Sequence, residues 1–251
     1  MNLEALLEYT AKDYLDDRTD LIAGDSDDLW SDRVIVRFLN EAQRILARRA
    51  WVIIETGVAP AGVLTLVTGK ALYPLHKSVL RVYDATPATQ TTPLGRSTDR
   101  QLRDPFNAPG ADAFDVGVAA SLAGNSLTTA GPSLAFATDA GTRVLRIYPP
   151  PAAAQNGVQV ALKVARLPIK ELAIEDMQGE PEVPEEYHLW IADYAVGRCL
   201  LLPNVDSQYK TEGRELIAKF EANVKEARQD RQRAEMSASR WGFSSSTAAL
   251  R

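Results

Sequence analysis

The stretch PEEYHLWIADYAVGRCLLLPN, residues 184–204, and its continuation VDSQYKTEGRELIAKFEANVKEARQDRQRAE, residues 205–235, decide how this chain folds. The spacing predicts two consecutive helices broken at Pro203-Asn204. The first opens after Val183-Pro184, with Glu185 and Glu186 in the turn where a helix N-terminus favours negative charge. His188, Ile191, Ala192, Ala195, Cys199 and Leu202 fall at three- and four-residue steps, flanked by Trp190, Tyr194 and Val196. So broad an apolar surface implies burial on most sides.

The second helix has its cap types at Asp206 or Ser207 and one stripe through Tyr209, Gly213, Leu216, Ile217, Phe220, Val224 and Ala227. Glu215 with Lys219 and Glu221 with Lys225 stand at i, i+4 as outer-face ion pairs. Beyond Ala227 the stripe stops, while charge continues through Arg228, Asp230, Arg231, Arg233 and Glu235. A helix that outruns its apolar face reaches a partner, a solvent gap or disorder.

Outward from this pair, Leu3, Leu6, Leu7, Thr10 and Tyr14 predict an amphipathic helix from Asn2 to about Asp16, with Asn2 as its cap. An acidic connector, Asp16 to Asp28, leads to a second helix starting at Ser31 or Asp32. Ile35, Phe38, Leu39, Ala42, Ile45 and Leu46 point inward there, and Arg33, Arg37, Arg44, Arg48 and Arg49 line other faces. At Trp51 the period changes from helical to alternating. Strands are expected at Trp51–Val58, Val63–Val67, Ala71–Leu75, Val79–Ala85, Ala113–Ala119, Ser133–Thr138, Arg143–Tyr148 and Val158–Arg166, with a helical turn at Ser97–Arg103.

The expected fold is therefore α+β: a helical bundle made by the N- and C-terminal helices, with an inserted antiparallel β subdomain. The expected boundaries are 1–50 for the N-terminal helices, 51–168 for the β subdomain, 169–236 for the C-terminal helices and 237–251 for a flexible tail.

The chain has 251 residues and a net charge of −5, so no global basic field draws it to nucleic acid or an anionic membrane. Its single cysteine, Cys199, makes no disulfide framework and suits a reducing compartment. No window approaches the roughly 20 apolar residues that span a bilayer.

Motif chemistry is thin. Gly62 to Lys70 has the wrong glycine spacing for a phosphate loop, and Ala71 stands where a magnesium-binding hydroxyl belongs. Asp25 to Asp28 lacks the glycine and final glutamate of a calcium loop. His76 and His188 have no companion ligand at metal spacing, so no metal or cofactor is expected. A site built from His188, Glu185 and Cys199 keeps a hydrolase open as an alternative. Against it stands a helix-start histidine satisfied by a carboxylate, and a thiol blunted by its apolar face. The arginine row of the second helix leaves a small DNA-binding assembly factor open; a solvated face, or intersubunit ion pairs with Asp16–Asp28 or Glu171–Glu182, suits the negative total better. No catalytic residue is assigned.

Four phrases carry a resemblance: Phe38-Leu39-Asn40-Glu41-Ala42-Gln43-Arg44 leading to Trp51; Tyr73-Pro74-Leu75 before Val79-Leu80-Arg81-Val82; Leu145-Arg146-Ile147-Tyr148-Pro149-Pro150-Pro151; and Val183-Pro184-Glu185-Glu186-Tyr187-His188 before Ala192-Asp193-Tyr194-Ala195. In this order, over most of residues 30–230, the chain resembles the head-to-tail adaptor proteins of tailed bacteriophages, a ring-forming family that includes podovirus tail tubular protein A and tail accessory factors.

The resemblance implies a non-enzymatic ring of twelve copies at the head–tail junction of the virion, assembled in the host cytoplasm. Such a ring docks on a portal protein, joins it to a tail or nozzle protein and leaves a channel through which DNA passes without tight binding. It also implies a C-terminal segment that clasps the portal or a neighbour. In this chain that segment holds Arg240, Trp241, Phe243 and Arg251, residue types favoured as interface anchors. The expectation is that they bind the partner.

Overall fold

The structure is a computed structural model that describes residues 1–15, 30–98, 135–138, 141, 143–203, 205 and 207–241; the side chains of residues 13, 208 and 237–241 lie outside that description. The chain divides into two compact units, Met1–Ile53 with Leu167–Arg251, and Ile54–Arg166. The fold is α+β.

In the first unit, α1 (Leu3–Leu7) is capped by the Asn2 side chain, which accepts from the Ala5 N–H at 3.0 Å. The helix then widens into a π-helical segment, Glu8–Tyr14. Thr10 explains the change locally, because its hydroxyl donates to the carbonyls of Leu6 and Leu7 at 2.8 and 3.1 Å and competes for acceptors of the α ladder. The wider turn moves the buried face by one position: Leu15 is 8% exposed, while Tyr14, expected inside, is 42% exposed.

α2 (Asp32–Ala50) buries Ile35, Phe38, Leu39, Ala42 and Leu46, as its period predicts. It ends at Trp51, whose left-handed backbone (φ 54°) takes it out of the strand expected there, so β1 begins only at Ile54. α3 (His188–Leu200) is buried on nearly every side, and α4 (Ser207–Trp241) packs along it.

Two glycines set the α3–α4 approach. A Cβ at Gly197 would lie 2.9 Å from the Gly213 carbonyl oxygen, and a Cβ at Gly213 would lie 2.9 Å from that of Gly197. Only glycine at both positions lets the backbones come this close.

The second unit holds β1 (Ile54–Thr56), β2 (Val63–Thr65), β3 (Leu72–Pro74), β4 (Val79–Pro87), β5 (Gly95–Arg96), β6 (Ala135–Ala137), β7 (Val144–Tyr148) and β8 (Gln159–Arg166). β8 is the centre of one sheet, with β1 and β2 end to end along one edge and β4 along the other; the second sheet runs β3-β7-β6-β5. Val160, Leu162 and Val164 alternate inward from β8 and share one core with Tyr73, Phe136, Leu145 and Ile147 of the second sheet. One pair departs from the antiparallel expectation: β5 and β6 run parallel, Gly95 opposite Ala135. The expected strand at Ala113–Ala119 and most of the turn at Ser97–Arg103 lie outside the described residues.

Candidate interaction surface

The phrase Asn40-Glu41-Ala42-Gln43-Arg44 places one polar group on each flank of α2, and every one is used. Asn40, 9% exposed, donates to the Leu172 carbonyl and accepts from the Leu172 N–H, both at 2.9 Å. The Gln43 side-chain oxygen accepts from the Glu182 N–H at 3.1 Å. Glu41 receives the Tyr194 hydroxyl at 3.0 Å and the Arg198 guanidinium at 2.9 Å, and Arg198 also lies 5.0 Å over the Phe38 ring. Arg44 pairs with Glu171. One helical turn and a half therefore fastens α3 and both ends of the connector between Leu167 and Pro184. The sequence signal was available in Asn40 and Gln43, polar residues at i, i+3 on a face otherwise occupied by Val36 and Ala47. A buried polar side chain on such a face requires a partner, and backbone is the usual one.

Asp193 is the second polar node. This carboxylate, 5% exposed on α3, accepts from Lys219 on α4 at 2.9 Å and from the Tyr9 hydroxyl at 3.3 Å. It thus diverts Lys219 from Glu215, and Arg49 of α2 likewise takes Glu221 from Lys225. The two intrahelical pairs expected on α4 give way to contacts between helices, one to the buried carboxylate of Asp193 and one to the exposed guanidinium of Arg49.

Of the residues of the hydrolase alternative, His188 and Glu185 meet at the Met1 ammonium, while Cys199 lies apart from them. His188 sits between the Met1 ammonium, 3.1 Å from Nδ1, and the Val183 carbonyl, which accepts from Nε2–H at 2.9 Å. Burial holds its pKa below the ordinary 6.5. Cys199 lies further along α3, about 16 Å along the axis at 1.5 Å per residue. Its fully buried apolar surroundings push the thiol up to about 12, far from a nucleophile at neutral pH. Glu185 is exposed and faces the Met1 ammonium at 3.4 Å. Among the described residues no three His, Cys, Asp or Glu side chains group as metal ligands, and no helix is long and apolar enough to cross a membrane.

What the first unit presents to its surroundings is helical and charged. α4 has 35 residues, about 52 Å of helix. Its buried stripe runs through Leu216, Phe220, Val224 and Ala227, with Tyr209, expected on it, 46% exposed. From Arg228 the helix extends about 21 Å further with no fully buried position to Met236, past the expected end at Glu235. Arg240 and Trp241 are its last two backbone positions. Their side chains, and all of Phe243 and Arg251, lie outside the described residues.

The described residues thus show an interlocked helical bundle and a long α4 whose fully buried stripe stops at Ala227. Residues 1–244 match the family model of the SU10 adaptor protein, and the chain belongs to this family of phage head–tail adaptors. No curated protein matches the chain. Adaptors of this kind are virion structural proteins that connect head and tail.

Proposed function

We propose that the chain is one subunit of a ring, twelve copies in the closest reading, that docks on the portal protein at the head–tail junction. The ring receives the tail or nozzle protein on its other side and leaves a central channel for DNA; its subunits are made and assembled in the host cytoplasm. The observation that carries this reading is α4, whose buried stripe ends at Ala227 while the helix continues to Trp241. Between Arg228 and Met236 the helix keeps no fully buried position, which suits contact with another molecule, and membership of the adaptor family over residues 1–244 supports a portal or tail protein as that molecule.

The contact with the portal is assigned to the end of the chain, Arg240, Trp241, Phe243 and Arg251. An aromatic and a guanidinium together give the anchor chemistry that dominates interfaces. Deleting residues 237–251 tests this. The truncated protein is expected to keep its melting temperature within about 2 °C, since surface changes outside the core cost little, and to lose attachment to isolated portals. Wild-type occupancy by the truncated protein would move the docking surface to the helices.

A further inference from the structure

Three of the five exposed arginines on α2, Arg33, Arg37 and Arg48, have no carboxylate partner among the described residues, and two of these line one groove. Arg44 and Arg49, in the C-terminal half, are neutralised by Glu171 and Glu221. Arg33 and Arg37, one turn apart in the N-terminal half, are exposed and have no carboxylate partner among the described residues. Arg33 also sits in the first turn, where the helix macrodipole repels a cation, so it adds nothing to the helix itself. Both line a groove of about 300 Å³ between α2 and the connector, with Val36 and Ile174 as its apolar lining and Glu175 on the connector side.

A complementary patch lies on another element. Glu212 and Glu215, three residues apart on α4, are both exposed, and the lysine one turn beyond Glu215 is committed to Asp193. Neither glutamate has a cationic partner among the described residues. Tyr209, one turn before Glu212, adds an exposed ring to the same face.

We propose that the Arg33–Arg37 groove of one copy receives the Glu212–Glu215 face of the next copy. This contact rests on the ring reading above and supplies a subunit interface for it. The two patches are different surfaces of one chain, so their pairing is head-to-tail, the type of contact that closes into rings. Two guanidiniums against two carboxylates set register and partner choice, while the apolar lining and Tyr209 exclude water. Each contact is weak alone and salt-sensitive, and repetition around a closed ring makes it sufficient.

Reciprocal charge reversal tests the proposal, with particle mass measured for the protein alone and on isolated portals. R33E/R37E and E212R/E215R each change only exposed side chains, and matching thermal melts confirm that they fold. Each variant alone is expected to assemble at least about tenfold more weakly than wild type, because every contact then opposes like charges. Mixed one to one, the variants are expected to regain wild-type assembly: the reversed groove meets the reversed helix, and the intact groove meets the intact helix. Assembly of either variant at wild-type strength, or failure of the mixture to recover, overturns the contact. So does retention of duplex DNA by wild type that R33E/R37E abolishes, which would make the groove a phosphate contact. A wild type that never self-associates, even on portals, overturns the ring reading itself.

Discussion

Phe220, 1% exposed, packs its ring 4.7 Å from Tyr194 in the centre of the helical unit. Phe220→Ala is expected to cost about 3–5 kcal/mol, the loss of a buried aromatic plus the cavity it leaves. Chemical denaturation measures this, and a loss under about 1 kcal/mol would put the α4 stripe on a partner surface rather than in the core. His188 gives the chain a pH dependence of definite sign. Burial favours its neutral ring, so below pH 6.5 the unfolded chain takes up more protons than the folded one. Its contribution to stability is complete above about pH 6.5 and is lost as the pH falls through that value. The fall in stability between pH 7.5 and 5.5 should be smaller in His188→Gln than in wild type, and equal slopes would contradict the assignment. Neither His188→Ala nor Cys199→Ala is expected to remove any turnover; an activity that disappears in either variant would revive the hydrolase.

At the scale of elements, the α3–α4 crossing is the constraint most open to test. Gly197→Ala places a methyl against the Gly213 carbonyl and the Ile217 side chain at 2.9–3.0 Å. Backbone cannot step aside cheaply, so the substitution should destabilise by about 1–3 kcal/mol despite the better helix propensity of alanine. A melting temperature at or above wild type would show that the helices stand further apart. These elements also show what the sequence makes legible. α2 and the buried stripes of α3 and α4 follow from apolar periodicity, since burial on one face leaves a pattern in the chain itself. Tyr14 and Leu15 exchange places because a threonine hydroxyl widens the helix, a local competition that periodicity does not encode. Lys219 leaves Glu215 for Asp193, and Glu221 leaves Lys225 for Arg49, because tertiary charges arrive from elements far away in the chain. Asn40 announces by its place on a buried face that some partner exists, but that the partner is Leu172 is hidden for the same reason. Of the proposed anchor residues, the sequence offers only chemical type, and Arg240 and Trp241 hold the last two backbone positions of α4.

At the scale of the whole molecule, the proposed DNA channel makes a prediction about charge. If copies assemble into the proposed ring, a net −5 per copy gives that ring no overall excess of cations toward a passing duplex. Every lysine or arginine held against phosphate would add a salt-dependent grip that opposes passage. Filter binding of duplex DNA to the assembled protein between 50 and 200 mM salt should therefore find weak retention at physiological ionic strength, and tight binding there would contradict a passive channel. The central claim, that this adaptor acts as a ring on the portal, is tested most directly by electron microscopy of the purified 27.4 kDa chain mixed with isolated portals. The account predicts a rotationally symmetric layer of helical subunits added to one end of the portal. Bare portals beside free monomers at saturating protein would contradict it.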